Sequence, residues 1–153
     1  MENKSNNPLV SIGCITYNQV NYIKNTIEGF LLQRTTFPIE IIIHDDASND
    51  NTQQIIREYE EKYPNLIGAI YQSENQYSKG VKPLINIVFN KARGKYIAIC
   101  EGDDYWIDPY KLQKQVDFLE KNTEFGLVFT DVQITDKNNS VIKNRGYNIR
   151  KRY

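Results

Sequence analysis

Four short apolar runs rich in β-branched residues, 9–15, 39–43, 66–71 and 96–100, alternate with stretches whose apolar residues recur at helical spacing. No other feature of the chain narrows its fold as far. Strands joined by helical crossovers pair in parallel, and such a sheet is covered on both faces. The first helical stretch, 20–33, sets Ile23, Ile27, Phe30 and Leu31 on one side. The second carries Ile55, Ile56, Tyr59 and Tyr63 and stops at Pro64. Leu84, Ile85, Val88 and Phe89 mark a third, with Gly94 beyond its end. Pro109 opens a fourth that buries Leu112, Val116 and Leu119, and a fifth strand is expected within 126–135. The order β-α-β-α-β-α-β-α-β predicts an α/β fold with a mostly parallel, Rossmann-like central sheet.

In sheets of this kind ligands bind outside the carboxyl ends of the strands. Thr16, Tyr17 and Asn18 follow the first strand, Asp45 and Asp46 the second, and Glu101, Gly102, Asp103 and Asp104 the fourth. Three polar groups from distant parts of the chain are therefore expected along one edge. Three carboxylates within four residues repel one another: two unit charges 4 Å apart interact by about 4 kcal/mol at an effective dielectric near 20. Either one holds a proton or a cation sits among them, and hard oxygen ligands suit Mg²⁺ or Mn²⁺. The bland reading, a solvated acidic turn, loses ground because the turn closes a buried strand. Asp45 and Asp46 precede a helix near Asn51, and Ser48 or Asp50 suffices to cap it, which frees at least one aspartate for a ligand. Tyr17 has a ring able to stack on a nucleobase, although one of 11 tyrosines is as readily a packing residue. The lone histidine, His44, is assigned no role.

With 153 residues the chain suits one domain able to bury roughly two-thirds of its unfolded surface. Nineteen basic and 19 acidic residues cancel, which argues against a general nucleic-acid binder. Cys14 and Cys100 lie within strand-like runs and read as buried, reduced hydrophobes, so a reducing, cytoplasmic setting is expected. Residues 1–7 (MENKSNN) form a polar tail without a signal-peptide core, and no apolar run nears the roughly 18–20 residues that cross a bilayer. Residues 8–140 are read as the domain and 141–153 as a basic tail, either a plain flexible end or a contact with anionic lipid at the inner face of the membrane. No Ser-His-Asp set, GxGxxG or Walker motif is present. The glycine- and basic-rich phosphate loop that a nucleotidyltransferase would want is not supplied by Thr16, Tyr17 and Asn18.

Taken in order, these segments resemble the family 2 inverting glycosyltransferases with the GT-A fold. The likeness is carried by Val10, Ser11 and Ile12 running into Thr16, Tyr17 and Asn18, and by 40–50 (EIIIHDDASND). It continues through 92–97 (ARGKYI), 101–106 (EGDDYW), and Asp108-Pro109 with Lys111, Leu112 and Gln115. The resemblance implies a site for a nucleotide-diphospho-sugar: Tyr17 at the base, Asp46 bonded to it, typically a uracil, and Asp45 supporting that loop, with Thr16 and Asn18 beside them. Glu101 and Asp103 would serve the ribose, and Asp103 and Asp104 the divalent metal on the diphosphate. It implies a saccharide or lipid-linked acceptor and a role in surface polysaccharide or lipopolysaccharide assembly. In relatives the catalytic base lies further along, and no residue here matches it, so the chain is read as the donor half. An apolar face left bare by the other half would favour a homodimer.

Overall fold

The computed structural model describes residues 7–136 and 140–145. The chain divides into two compact units, 1–116 and 117–153. The first unit holds strands β1 (Val10–Thr16), β2 (Ile39–Asp45), β3 (Ile67–Tyr71) and β4 (Tyr96–Glu101). Between them run helices α1 (Ile23–Leu31), α2 (Thr52–Lys62) and the short α3 (Phe89–Lys91), and α4 (Lys111–Lys121) begins within this unit. The sheet is ordered β3-β2-β1-β4 and every pair is parallel. This is the α/β architecture that the alternating pattern predicts.

The core explains why β1 and β2 are apolar throughout. Val10, Ile12 and Cys14 alternate along β1 with residues of the opposite face, and they cluster with Ile41 and Ile43 of β2. Ile23, Ile27 and Phe30 of α1 and Ile56 of α2 join the same cluster. Gly13 is on the other face, where a Cβ would come within 2.6 Å of Val88. Its bareness lets the segment before α3 lie against the sheet. That segment, Leu84–Val88, was expected as α-helix and is instead π-helical before passing into α3. Adjacent apolar pairs four residues apart suit a helix of 3.6 residues per turn and a wider one alike, so the pattern does not separate them.

At the amino ends of the strands, Ser11 donates to Glu40 Oε1 (2.6 Å), and the Arg93 amide donates to the same oxygen (2.8 Å). The Arg93 guanidinium reaches Glu40 Oε2 at 2.6 Å, and the Gly94 amide donates to Ser11 Oγ. Burial draws the Glu40 pKa up, but the Ser11 and Arg93 hydrogen bonds outweigh it and hold the carboxyl below its usual range. At the outer edge of β3, Glu60 of α2 accepts the Ala69 amide and the Tyr71 hydroxyl. A side chain there takes the place of a neighbouring strand.

In the second unit Phe118 and Phe125 pack with ring centroids 5.5 Å apart. The fifth strand, β5 (Val132–Thr135), falls where the sequence places it. It pairs antiparallel with β6 (Val141–Arg145), which arises from residues read as the start of the basic tail. Residues 146–153 of that tail, and 1–6 of the amino-terminal one, lie outside the described residues. Cys14 and Cys100 are both free and buried, as expected. Burial first, and then mutual proximity and nearby acids, push the Cys14 thiol up; burial pushes that of Cys100 to about 12.

Candidate functional site

Strand register brings the expected residues to one edge. Thr16 is the register partner of Asp45, and Ile15 that of Glu101, so β1, β2 and β4 end together. The chain continues from β1 into Tyr17 and Asn18, from β2 into Asp46, and from β4 into Gly102, Asp103 and Asp104. The parallel sheet thus gathers all eight expected site residues at its carboxyl edge.

The first two loops are tied to each other. The Asn18 amide donates to Ser48 Oγ, and the Asn49 amide donates to Asn18 Oδ1. The Gln19 amide donates to Thr52 Oγ1 and the Val20 amide to Asp50 Oδ2. Asp50 also accepts the Thr52 amide at the start of α2, while the N-cap position itself is Asn51 and makes no side-chain capping bond, where Ser48 or Asp50 was expected to cap. Asn18, Ala47 and Asn51 all have positive φ, at 53°, 68° and 74°. Left-handed backbone outside glycine is costly, and its concentration in these two loops marks a conformation held by its surroundings.

The two aspartates after β2 behave differently. Asp45 is fully buried; its Oδ1 accepts the Ser48 amide and the Gln53 side chain. Its Oδ2 is buried with no hydrogen-bond partner among the described residues. Asp46 uses both carboxylate oxygens within the chain, accepting the Gln76 amide at 2.7 Å and the Tyr77 amide at 3.0 Å. Its carbonyl takes the Asn75 side chain and its own amide donates to Thr16. Asp46 therefore anchors the loop after β3, a role that sequence reasoning missed because both partners are backbone amides. His44, which precedes the pair, is buried; burial holds its imidazole below the usual value against the pull of Asp46 and Asp45.

The acidic loop is fixed from behind and open in front. Gly102 donates its amide to the Ile15 carbonyl. A Cβ on Gly102 would meet Gln19 at 2.4 Å and the Thr16 hydroxyl at 2.6 Å, so the close approach that this glycine permits is made by the chain itself. Thr16 is buried and spends its hydroxyl on Gln19. Thr26, buried on α1, has its hydroxyl 2.9 Å from the Gly102 carbonyl and 2.7 Å from that of Asp104. A threonine among the apolar positions of α1 was the signal that could have revealed it. Trp106 packs on Phe30 edge to face at 4.9 Å, and Gly29 leaves room for its backbone.

Glu101, Asp103 and Asp104 are exposed, as is Tyr17 at 47%. The carboxylates of Asp103 and Asp104 make no hydrogen bond or ion pair among the described residues. Partial burial, and then the neighbouring charge of Asp103, push the Asp104 carboxyl up. Among the described residues no three His, Cys, Asp or Glu side chains converge to cage a metal alone. Two free hard-oxygen carboxylates nevertheless fit Mg²⁺ or Mn²⁺, which are held by one or two carboxylates with substrate phosphates completing the shell.

The family model described as Glycosyl transferase family 2 matches residues 11–152. The chain belongs to glycosyl transferase family 2. A Mycobacterium tuberculosis relative, uncharacterized protein Rv1520, is 47% identical over 82% of this chain and 35% of its own length. The Escherichia coli UDP-Glc:alpha-D-GlcNAc-diphosphoundecaprenol beta-1,3-glucosyltransferase WfaP is 38% identical over 76% of this chain and 43% of its own. The chain thus spans less than half the length of these relatives. Among solved structures, the Pyrobaculum calidifontis mannosyltransferase PcManGT, in complex with GDP-Man and Mn²⁺, superposes with a TM-score of 0.65. It is 24% identical and covers 76% of this chain and 34% of that one, a likeness of fold. The GT-A architecture expected from the resemblance is the one found.

Proposed function

We propose that the chain is the donor-binding half of a family 2 glycosyltransferase that moves a sugar, with inversion, from a UDP-sugar to an acceptor hydroxyl. The observation that carries the reading is the pairing of a locked loop edge with two uncommitted carboxylates, Asp103 and Asp104, at the end of β4. The cross-tied loops after β1 and β2 hold the edge beside those carboxylates in one conformation.

Tyr17 offers its exposed ring to the base. Asp46 stands at the base as well, with lone pairs left after its two amide bonds, and Asp45 Oδ2 is the buried acceptor behind it. Thr16 and Asn18 shape the floor through their own bonds rather than by reaching outward. Glu101 and Asp103 face the ribose, and Asp103 and Asp104 hold the metal. When bound, Mg²⁺ or Mn²⁺ supplies positive charge to the departing nucleoside diphosphate. The printed name of WfaP gives that relative a UDP-sugar donor and a lipid-linked acceptor. That supports a UDP-sugar and a saccharide or lipid-linked acceptor here, in surface polysaccharide or lipopolysaccharide assembly.

A second reading is a binding module that holds the donor and transfers nothing alone. It is favoured by the lack, within residues 1–153, of a residue matched to the family's base. Calorimetric titration of UDP, with Mn²⁺ and then with EDTA, tests the donor site common to both readings. Metal-dependent binding is expected, and no binding in either condition would overturn the site. Sugar transfer by the purified chain would then decide between transferase and module.

A further inference from the structure

Asp46 is bonded to two segments that each present an exposed tyrosine. Its amide donates to the Thr16 carbonyl at 2.9 Å, and Tyr17 is the next residue of the chain. Its carboxylate accepts the Tyr77 amide at 3.0 Å. One aspartate and two hydrogen bonds thus link the backbone of Tyr17 to that of Tyr77. Tyr17 is 47% exposed and Tyr77 76%.

The turn that presents Tyr77 is fixed by its own bonds. Tyr77–Lys79 is a single 3-10 turn, closed by the Gly80 amide on the Tyr77 carbonyl. Gly80 ends it in the left-handed region, with φ 80°, and the Val81 amide returns to the Gln76 carbonyl. Asn75 ties the turn to the strand edge: its Nδ2 donates to the Asp46 carbonyl, and its Oδ1 accepts the Ser78 amide. The Tyr77 side chain takes no part in any of this. Among the described residues its hydroxyl makes no hydrogen bond, and its ring packs on no other ring or cation. A lone exposed aromatic is ordinary on a protein surface, so exposure by itself decides nothing. What singles out Tyr77 is the group to which its backbone is pinned.

The donor-site reading sets a nucleobase at Asp46 and gives it the ring of Tyr17. A base is flat and has two π faces, each of which an aromatic side chain can cover. We propose that Tyr77 is a further donor-binding residue, which stacks on the base face that Tyr17 leaves open. The inference rests on the donor-site reading and adds the second wall of that site. Asp46 then acts as the bracket of a clamp, since the carboxylate beside the base also holds the turn that carries the second ring. Stacking is tolerant of base identity, so Tyr77 adds affinity without choosing among nucleotides. Choice of base is left to hydrogen bonds at its edge.

The test is calorimetric titration of UDP with Mn²⁺ into the parent chain and into three Tyr77 variants. Tyr77→Ala should lower affinity about tenfold, and Tyr77→Phe should stay within about twofold of the parent. Amide hydrogen exchange across 73–80 should be the same in all of them, because the residue 77 amide still donates to Asp46. Should Tyr77→Ala fail to fold, Tyr77→Leu keeps the bulk, removes the π face and carries the comparison. Parent-like affinity in Tyr77→Ala, with the parent binding UDP, would overturn the clamp and leave the donor site standing. No binding by the parent would overturn both. An equal loss in Tyr77→Phe would trace the effect to the hydroxyl, and a loss accompanied by faster exchange across 73–80 would trace it to the turn's own stability. Either result would overturn the stacking role.

Discussion

Asp45 and Asp46 are neighbours with opposite fates. Asp45 closes β2 and turns to Ser48 and Gln53, while the loop after β3 claims Asp46. Asp46→Ala should weaken UDP binding while leaving its metal dependence intact, and amide hydrogen exchange should quicken across 73–80 as the Gln76 and Tyr77 amides lose their acceptor. An unchanged exchange rate there would contradict the anchoring role. Asp104→Ala should lower UDP affinity in Mn²⁺ by tenfold or so, about 1.4 kcal/mol, and leave the weak binding in EDTA where it was. Equal affinities in Mn²⁺ would remove Asp104 from the metal site. Glu40 permits a prediction with a sign. Its folded pKa lies below the usual 4.5, so its contribution to stability is present above that value and is lost as pH falls through the folded pKa. Glu40→Gln should cost about 1–3 kcal/mol at neutral pH, and the difference from the parent chain should close in denaturant melts run at increasingly acid pH. A penalty that stayed constant into acid would place its cause in packing rather than charge.

The elements were legible to different degrees, and the reasons are physical. β1, β2 and β4 could be read because buried parallel strands are near-continuous runs of Ile, Val and Cys, and such runs have few other uses in a soluble domain. The convergence of Thr16, Asp45 and Glu101 followed from topology alone. The π-turn at Leu84–Val88 was not legible, because its apolar spacing fits two helical periods. β6 was hidden because Val141 and Ile142 are its only apolar residues, and cross-strand pairing, not composition, makes it a strand. The tie between α1 and the acidic loop was also missed, although Thr26 stood in plain view. Thr26→Val keeps the shape and removes the hydroxyl that faces the Gly102 and Asp104 carbonyls. It should cost about 1–3 kcal/mol of stability and weaken Mn²⁺-dependent UDP binding. Normal binding with normal stability would show the acidic loop to be held by the Gly102 amide's bond to Ile15 without it.

For the molecule as a whole, ligand and fold are linked. Binding that favours the folded state stabilises it by about 2.7 kcal/mol at a hundred times the dissociation constant. UDP with Mn²⁺ should therefore raise the melting temperature of the purified chain by several degrees, and UDP with EDTA should not. A rise of equal size in both conditions would detach the nucleotide from the metal. No described helix is long and apolar enough to cross a membrane.

The sheet also has a polarity. Its amino end is knotted by Ser11, Glu40, Arg93 and Gly94, which bind three segments of the chain through mutually dependent bonds. Its carboxyl end is cross-tied as well, through Asn18, Ser48, Asp50 and Asp46, but the exposed side chains of Tyr17, Asp103 and Asp104 take no part in those ties. Substitutions should thus be tolerated along a gradient that follows the strand axis: sparse at one rim, abundant at the other. Change at the loop rim can therefore proceed while the opposite rim keeps the architecture in being.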